Sequence, residues 1–139
     1  MLDVKALLTK ILLRLSNIGT IYENTLSTTI SKTDVDQNTD GASITVPTGV
    51  YTVIGQWGFN TRSTSGTTNS AIRMYRSSDN YANNIAQTRI YGAGNNWNAL
   101  QCSCIVNVTN ATETIKICGA TSRPYTTSTV TWIKAVRIA

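Results

Sequence analysis

The stretch ITVPTGVYTVIGQWGFN, residues 44–60, constrains the fold of this chain more than any other part of its sequence. A Pro-x-Gly turn is followed by a run of β-forming residues that ends in Trp-Gly-Phe. Side chains alternate between the two faces of a strand. One face carries three aromatic rings and a valine, which are Tyr51, Val53, Trp57 and Phe59. The opposite face carries Val50 and Ile54, so the sequence predicts a long strand that is apolar on both faces.

A strand that is apolar on both faces must contact something beyond the core of its own small sandwich. A neighbouring subunit is the most direct candidate. Gly55 and Gly58, on either side of Trp57, are consistent with the close approach of another backbone. We therefore predict that Tyr51, Trp57 and Phe59 lie at a subunit interface.

The rest of the chain predicts an all-β sandwich. Only 14% of its 139 residues are charged, and the apolar residues come in short alternating runs between turn signals. This composition is typical of an all-β fold with polar loops. The strand candidates are residues 42–46, 50–59, 71–76, 87–91, 100–108, 114–119 and 129–138. A single domain with about seven or eight short strands is expected.

The N-terminal segment carries a heptad repeat in place of the strand pattern. With Met1 at position a, Leu recurs at a and Ile at d. These residue types favour three or four helices over a parallel pair. The residues predicted to hold a trimer together are Leu8, Ile11, Leu15 and Ile18. The alternative is that the helix packs on its own domain, because the repeat is short. Gly19 predicts the end of the helix.

Residues 20–41 predict a linker or first strand followed by a polar loop. The loop has acidic and amide side chains at every second position, and these are Asp34, Asp36, Asn38 and Asp40. A calcium loop would need a glycine at the place of Thr39 and a glutamate at its twelfth position, and neither is present. The chain has no histidine, which disfavours a zinc site. No metal and no other cofactor are predicted.

The cysteine pattern does not match a disulfide framework. Cys102, Cys104 and Cys118 are an odd number of cysteines, two of them with C-x-C spacing on a predicted strand. Free and mostly buried thiols are expected. Such thiols suit assembly in a reducing cytoplasm.

Charge and hydropathy argue against two kinds of partner. The net charge is +5, but the twelve basic residues are scattered singly, so no cluster follows a phosphate backbone. No stretch approaches the roughly 18 apolar residues of a membrane span. The first segment also lacks the basic region and the small-residue cleavage site of a secretion signal. We therefore predict neither nucleic-acid binding nor membrane insertion.

An enzyme would need a catalytic set that this sequence does not offer. Without histidine, a serine or cysteine nucleophile lacks its usual general base. The acidic residues form no recognisable paired-carboxylate motif. Cys102 and Cys104 fall on the predicted core face of their strand. We predict that the protein is not an enzyme.

The best candidate for ligand binding is the loop YGAGNNWN, residues 91–98. It has two glycines and presents one large ring, Trp97, among the amides of Asn95, Asn96 and Asn98. An aromatic ring can cover the apolar face of a pyranose while amides exchange hydrogen bonds with its hydroxyls. The alternative is that Trp97 caps the end of the sandwich and that the asparagines only make turns.

Two further loops offer candidate ligand residues. The loop of residues 76–84 carries Asp79 and Tyr81, and the Ser/Thr-rich loop of residues 61–69 carries Arg62. The arginine could meet an anionic polymer such as a teichoic acid, although such arginines are more often simply solvated.

Three segments resemble a known fold. VPTGVYTVIGQWGFN resembles the early strand of C1q-like and tumour-necrosis-factor-like (TNF-like) jelly rolls, in which a Pro-x-Gly-x-Tyr turn opens a long strand. The ending TVTWIKAVRIA is similar to their closing strand, and NVTNATETIKICG occupies the place of the segment before it. The resemblance covers roughly residues 42–139. It implies a ten-strand jelly roll that trimerises about a three-fold axis through aromatic and aliphatic residues of its inner strands.

A short coiled-coil helix ahead of such a head looks like the tip of a bacteriophage tail or tail fibre. The collagen-like stalk, disulfides and secretion signal of animal relatives are missing, which favours a phage or prophage protein, or a small bacterial assembly made in the cytoplasm. The resemblance thus implies a homotrimeric virion protein, made in the bacterial cytoplasm, that contacts other tail or baseplate proteins and binds a bacterial cell-surface saccharide.

The alternative is a purely structural trimeric head or capping protein, because the same fold serves both roles. In either case, the expected organisation is a trimerising helix in residues 1–19, a linker or first strand with a polar loop in residues 20–41, and a jelly-roll head in residues 42–139.

Overall fold

The computed structural model describes residues 3–32, 39–61, 67–93 and 97–139. Within these ranges the chain forms one α-helix, a 3-10 turn at Ser77–Asp79 and eight strands. In chain order the helix and strands are α1 (Val4–Ser16), β1 (Ile21–Thr25), β2 (Ser31–Lys32), β3 (Thr39–Thr61), β4 (Thr67–Arg76), β5 (Asn84–Ala93), β6 (Trp97–Thr121), β7 (Tyr125–Thr127) and β8 (Trp132–Arg137).

The strands pair as a nested ribbon, which is the pattern of a jelly roll. β1 pairs with β8, β3 with β6 and β4 with β5, and all three pairs are antiparallel. β3 and β6 run side by side for almost their full lengths, but their register shifts at Pro47–Gly49. At this corner the ribbon crosses from one layer of a sandwich to the other.

The corner divides the ribbon into two sheets. The first sheet consists of β1, β8, residues 49–61 of β3 and residues 97–108 of β6, together with the short strands β7, which pairs with residues 59–61 of β3, and β2, which pairs with β7. The second sheet consists of residues 39–47 of β3, residues 112–121 of β6, β4 and β5. The mainly antiparallel jelly roll with a short N-terminal helix confirms the predicted fold class.

The core lies between the two sheets and is centred on Trp57. The Trp57 ring stacks on Phe59 with ring centroids 4.2 Å apart, and it meets Tyr125 edge-to-face at 5.4 Å. Gly119 of the second sheet lies directly against the same ring, and a Cβ atom there would come within 1.8 Å of it. The close packing of the two layers therefore requires a residue without a side chain at position 119.

The structure assigns Tyr51, Trp57 and Phe59 to the core of the subunit and not to a subunit interface. All three side chains are completely buried within the single chain, where no second subunit can contact them. Their face of β3 is turned toward the second sheet, so the outward-facing apolar residues of this strand are Val50 and Ile54. The predicted interface residues thus lie on the inward face of β3, and the residues next to them in the sequence lie on the exposed face.

The two glycines near Trp57 also have partners within the chain. A Cβ atom at Gly55 would meet the Ile117 side chain at 2.4 Å, and one at Gly58 would meet the Val130 side chain at 2.3 Å. The close approach predicted at these glycines is therefore made by side chains of the same subunit.

Helix α1 has defined ends. The Asp3 carboxylate accepts a hydrogen bond from the backbone amide of Ala6 at 3.1 Å, which caps the first turn. Gly19 has a φ of 84°, as predicted for the residue that ends the helix, and its amide donates to the carbonyl of Arg137 at 2.8 Å.

The apolar side chains of α1 do not pack on the rest of the subunit. The predicted seam residues are all exposed, and they are Leu8, Ile11, Leu15 and Ile18. The alternative prediction, in which the helix packs on its own domain, is therefore not seen in the single subunit. Within the described residues, no helix is long and apolar enough to span a membrane.

The segment after α1 joins the sandwich by strand pairing. β1 pairs with β8 at the edge of the first sheet, and β2 pairs with β7. Three of the alternating loop residues, Asp34, Asp36 and Asn38, lie outside the described residues. The fourth, Asp40, is in β3, where Lys116 Nζ binds its carboxylate at 3.0 Å.

Candidate functional site

Two exposed aromatic rings flank the loop that the sequence favours for ligand binding. Tyr91 lies near the end of β5 and is 70% exposed, and Trp97 begins β6 and is 64% exposed. Asn95 and Asn96, between them, lie outside the described residues. Because its ring is exposed, Trp97 does not fold back over the end of the sandwich. It is available to a ligand or to a partner.

Asn98 and Trp97 are on opposite faces of β6. Trp97 pairs with Asn60 on the outward side of the first sheet. Asn98 shares a face with the buried Leu100, is half-buried, and lines a small cavity of about 20 Å³. Asn98 is therefore not placed beside the Trp97 ring as a ligand contact. Arg62 lies outside the described residues.

The structure does not bring Asp79 and Tyr81 together with Trp97. Asp79 and Tyr81 precede β5, whereas Trp97 follows it, and the ten residues of β5 span roughly 30 Å. The Tyr81 ring lies over Lys116, with Nζ 4.3 Å from the ring centroid. One carboxylate oxygen of Asp79 accepts a hydrogen bond from the backbone amide of Asn83 at 3.3 Å. The candidate ligand residues Asp79 and Tyr81 are thus at the opposite end of β5 from Trp97.

The outward face of the first sheet carries exposed aliphatic side chains. Four isoleucines contribute to it, and they are Ile21, Ile54, Ile105 and Ile138. Ile105 is the most exposed of them at 69%. Ile105 lies opposite Thr52, Thr52 lies opposite Val136 on its other side, and Val136 lies opposite Ile21, so one row across four strands carries three aliphatic side chains and a threonine. We call this surface the isoleucine face.

A groove at the base of the sandwich lies between the end of α1 and the first sheet. It has a volume of about 620 Å³ and is lined by Leu15 and Ile18 of the helix end and by Val50, Val108 and Arg137 of the first sheet, among others. The end of the helix seam and Val50, which is on the outward side of the first sheet, therefore line the same groove.

The one carboxylate buried in the described part of the chain has a structural role. Glu113 is 1% exposed; its Oε2 binds Arg76 at 2.7 Å and its Oε1 accepts from the Ser78 amide at 2.6 Å. Burial alone would raise the pKa of Glu113, but the hydrogen bonds from Arg76 and Ser78 lower it below its ordinary value. A carboxylate held ionised by these contacts and closed to solvent is not placed to exchange protons with a substrate.

The three cysteines are free, as the sequence predicts. Cys102 and Cys118 are buried, and burial raises the pKa of each thiol to about 12. Cys104 is half-buried, and its Sγ lies 3.6 Å from Met74 Sδ. Because the thiolate is the nucleophile, these protonated thiols are poor candidates for covalent chemistry.

Comparison of the sequence with protein-family models and with curated proteins finds no match. Comparison of the structure does. The Eiger TNF from S. frugiperda is similar with a TM-score of 0.60 at 9% sequence identity, covering 88% of this chain and 94% of that one. The chain has a TNF-like jelly-roll fold. Murine APRIL at pH 5.0 is also similar to this TNF-like head, with a TM-score of 0.51 at 11% identity over 86% of this chain and 99% of that one. A second murine APRIL structure, at pH 8.5, gives a TM-score of 0.51 at 12% identity over 85% and 98%.

Proposed function

We propose that the protein is a non-catalytic homotrimeric head that binds a bacterial cell-surface saccharide, as the tip of a phage or prophage tail or fibre made in the bacterial cytoplasm. The observation that carries the proposal is that α1 and the isoleucine face both expose apolar side chains in the single subunit. Exposed apolar surface of this kind marks an interaction site. Self-association covers both surfaces in one step.

The helix supports a trimer through its residue types. Leu at a and Ile at d favour three or more helices over two. The apolar side chains of the α1 segment are 43–67% exposed in the single subunit, so water contacts them until other copies cover them. The α1 helices of other copies of the protein present an identical seam, so three copies can complete a short bundle.

The isoleucine face supports contact between the heads as well. The end of the helix seam shares a groove with Val50 on this side of the first sheet, so subunits joined through their helices would bring these sides of their heads near one another. The outward face of the second sheet differs, because its cross-strand neighbours include Asn69, Arg73, Gln87 and Arg89. The apolar face therefore belongs to the assembly, and the polar face remains in solvent.

The position of Trp97 supports saccharide binding at the end away from the helix. The base groove includes Gly49 of β3, whereas Trp97 pairs with Asn60 of the same strand, roughly 35 Å further along. An exposed indole presents a flat apolar surface that suits the face of a pyranose ring. A stalk at one end and a binding ring at the other is the arrangement that an attachment tip requires.

A purely structural trimeric head is the second candidate. Trp97 lies on the same outward face as Ile54 and Ile105, so its ring could be covered by a neighbouring subunit. In that case the exposed aromatic surface serves assembly, as in a cap of a fibre or a particle.

The Trp97→Ala variant separates the two functions. Binding of labelled protein to an array of bacterial surface saccharides is measured together with the mass in solution. The attachment proposal predicts that Trp97→Ala loses binding and keeps the trimer mass. Tyr81→Ala, at the opposite end of β5, is the matched control and is expected to keep both. A Trp97→Ala protein of lower mass, or a wild-type protein that binds no saccharide, would support the structural head instead.

A further inference from the structure

We infer that the ligand at Trp97 is an uncharged oligosaccharide that crosses the outward face of the first sheet and ends in a cavity beside Trp132. This inference rests on the proposed saccharide binding, and it names the class of saccharide and the residues that contact it. Two glutamines, Gln56 and Gln101, lie on the path between the two indole rings. The site is therefore a path for several sugar units and not a pocket for one.

The strand register places these four side chains on one face. Gln101 of β6 lies opposite Gln56 of β3, and Gln56 lies opposite Trp132 of β8 on its other side. Trp97 is on β6 with Gln101, and because an even number of residues separates them, they share a face of the strand. The two tryptophans lie two strands apart, and their Cα atoms are separated by roughly 16 Å. A ligand that contacts both rings must therefore be longer than one sugar.

Hydrogen bonds within the protein hold the two glutamines in place. Gln101 Nε2 donates to Gln56 Oε1 at 2.8 Å, and Gln56 Nε2 donates to the carbonyl of Val130 at 2.9 Å. Gln101 is exposed, so its amide can offer a second N–H and its own oxygen to sugar hydroxyls. The amide is oriented before a ligand binds, which lowers the entropy cost of binding.

The surface between Trp97 and Gln101 is low and apolar. Ala99 lies between them on the same face of β6, opposite Gly58 of β3. A Cβ atom at Gly58 would meet the Val130 side chain at 2.3 Å, so Val130 covers this glycine. A methyl group and an isopropyl group therefore lie beside the indole and extend the apolar surface that a pyranose face can contact.

The cavity beside Trp132 forms the other end of the path. It has a volume of about 240 Å³, and its lining includes Thr25, Trp132, Glu23 and Lys134. The Glu23 carboxylate and Lys134 Nζ are 2.9 Å apart, and both side chains are partly exposed. A carboxylate accepts hydrogen bonds from sugar hydroxyls and an ammonium group donates to them, so this pair can bind a ring that stacks on the indole.

The described groups on this path favour uncharged sugar units. They are two indole rings, two amides and one ion pair whose charges offset each other. The rings supply apolar contact with the sugar faces, and the amides exchange hydrogen bonds with the hydroxyls. This combination matches a hydroxyl-rich chain of neutral sugars.

The path and the trimer contacts use different rows of the first sheet. The row that contains Ile105 and Thr52 is closer to the base groove than the row that contains Gln101 and Gln56. The two rows are separated by roughly 13 Å along the strands. A neighbouring subunit that covers Ile105 can therefore leave Gln101 open to a ligand.

The test uses the full-length protein with two uncharged probes, chitohexaose and maltohexaose. Their single sugars, N-acetylglucosamine and glucose, are the matched short probes. Binding is followed by the nuclear magnetic resonance signals of the indole Nε1–H groups and the glutamine side-chain amides. We expect at least one hexasaccharide to shift the signals of Trp97, Trp132 and Gln101 together. The same hexasaccharide should bind more tightly than its single sugar by about tenfold or more.

Substitutions localise the contacts. Gln101→Ala is expected to weaken hexasaccharide binding by about tenfold, while its mass in solution stays that of the wild type. Trp132→Leu keeps an apolar residue in the row but removes the flat ring, and it is expected to weaken binding to a similar degree. Gln87→Ala is the matched control. Gln87 is an exposed glutamine on the other sheet, where its Oε1 accepts from Arg73 Nε at 3.2 Å, and its loss is expected to leave binding unchanged.

Five outcomes would overturn the inference. They are a single sugar that binds as tightly as its hexasaccharide, a shift of the Trp97 signal without that of Trp132, equal weakening by Gln101→Ala and Gln87→Ala, a lower mass of Gln101→Ala, and no binding of either hexasaccharide. If a saccharide of the array still binds in a Trp97-dependent way, the inference fails alone and the proposed function stands. If no saccharide of the array binds, both fail.

Discussion

Arg76 and Glu113 form an ion pair of 2.7 Å in which the carboxylate side chain is fully buried and the arginine side chain is 24% exposed. The pair joins the end of β4 to β6 near the corner of the ribbon. The Ser77 hydroxyl and the Ser78 amide donate to the other carboxylate oxygen at 3.1 and 2.6 Å. One side chain therefore holds a strand end and the 3-10 turn that follows it.

Glu113→Gln is expected to lower the free energy of unfolding by about 3 kcal/mol, because it leaves a partly buried arginine without its counter-charge. Urea unfolding at a fixed protein concentration measures this change. Glu23→Gln is the matched control, since the Glu23–Lys134 pair of 2.9 Å is exposed on both sides and is expected to change stability by less than about 0.5 kcal/mol. Equal effects of the two substitutions would contradict the role assigned to Glu113.

The contribution of Glu113 should depend on pH in one direction. Its folded pKa lies below the ordinary value of 4.5, so its stabilisation is fully present above that pH and is lost as the pH falls through the lower folded pKa. The difference in unfolding free energy between the wild type and Glu113→Gln should therefore shrink as the pH falls below 4.5. Asp40 titrates in both proteins and cancels from the comparison. If this difference in unfolding free energy did not change as the pH falls, Glu113 would not be ionised in the folded protein.

Gly119→Ala is expected to destabilise the fold by about 3 kcal/mol or more, because the new methyl group overlaps the buried Trp57 ring. Gly92→Ala is the control, since a Cβ atom at Gly92 meets nothing within 4 Å. Thermal unfolding and soluble yield of the two variants provide the measurement. If Gly119→Ala were as stable as Gly92→Ala, the packing of the two sheets would differ from that described here.

The buried thiols should resist alkylation in the folded protein. With a pKa of about 12, Cys102 and Cys118 present almost no thiolate at neutral pH. Iodoacetamide is expected to leave both unmodified in the native protein and to modify them fully once urea has unfolded it, as mass spectrometry of peptides would detect. Native Cys118 that reacted as fast as the unfolded chain would show that its environment is open.

The sequence predicts the architecture well because period and turn chemistry are local properties. The heptad of α1, the stop at Gly19 and the alternation in β3 all appear in the structure. The interface residues on β3 could not be chosen in the same way. Both faces of that strand are apolar, and only the pairing with β6 and β8 decides which face turns toward the second sheet.

The candidate site was harder to predict for a similar reason. The loops that contain Tyr81 and Trp97 look alike as sequence, but β5 separates them by its full length. The sequence does contain one sign of the exposed apolar surface. Ile105 interrupts the otherwise polar face of β6, and it is among the most exposed apolar residues of the first sheet.

The mass of the full-length protein in solution, measured by light scattering over a range of concentrations, decides whether the protein is a trimer. We expect three times the subunit mass of 15.1 kDa. Ile11→Asp in the helix seam and Ile105→Asp on the isoleucine face should each shift the mass toward one subunit, whereas Lys10→Asp, off the seam, should not. A wild-type protein that remains at 15.1 kDa at all concentrations would contradict the trimer and the proposed attachment function with it.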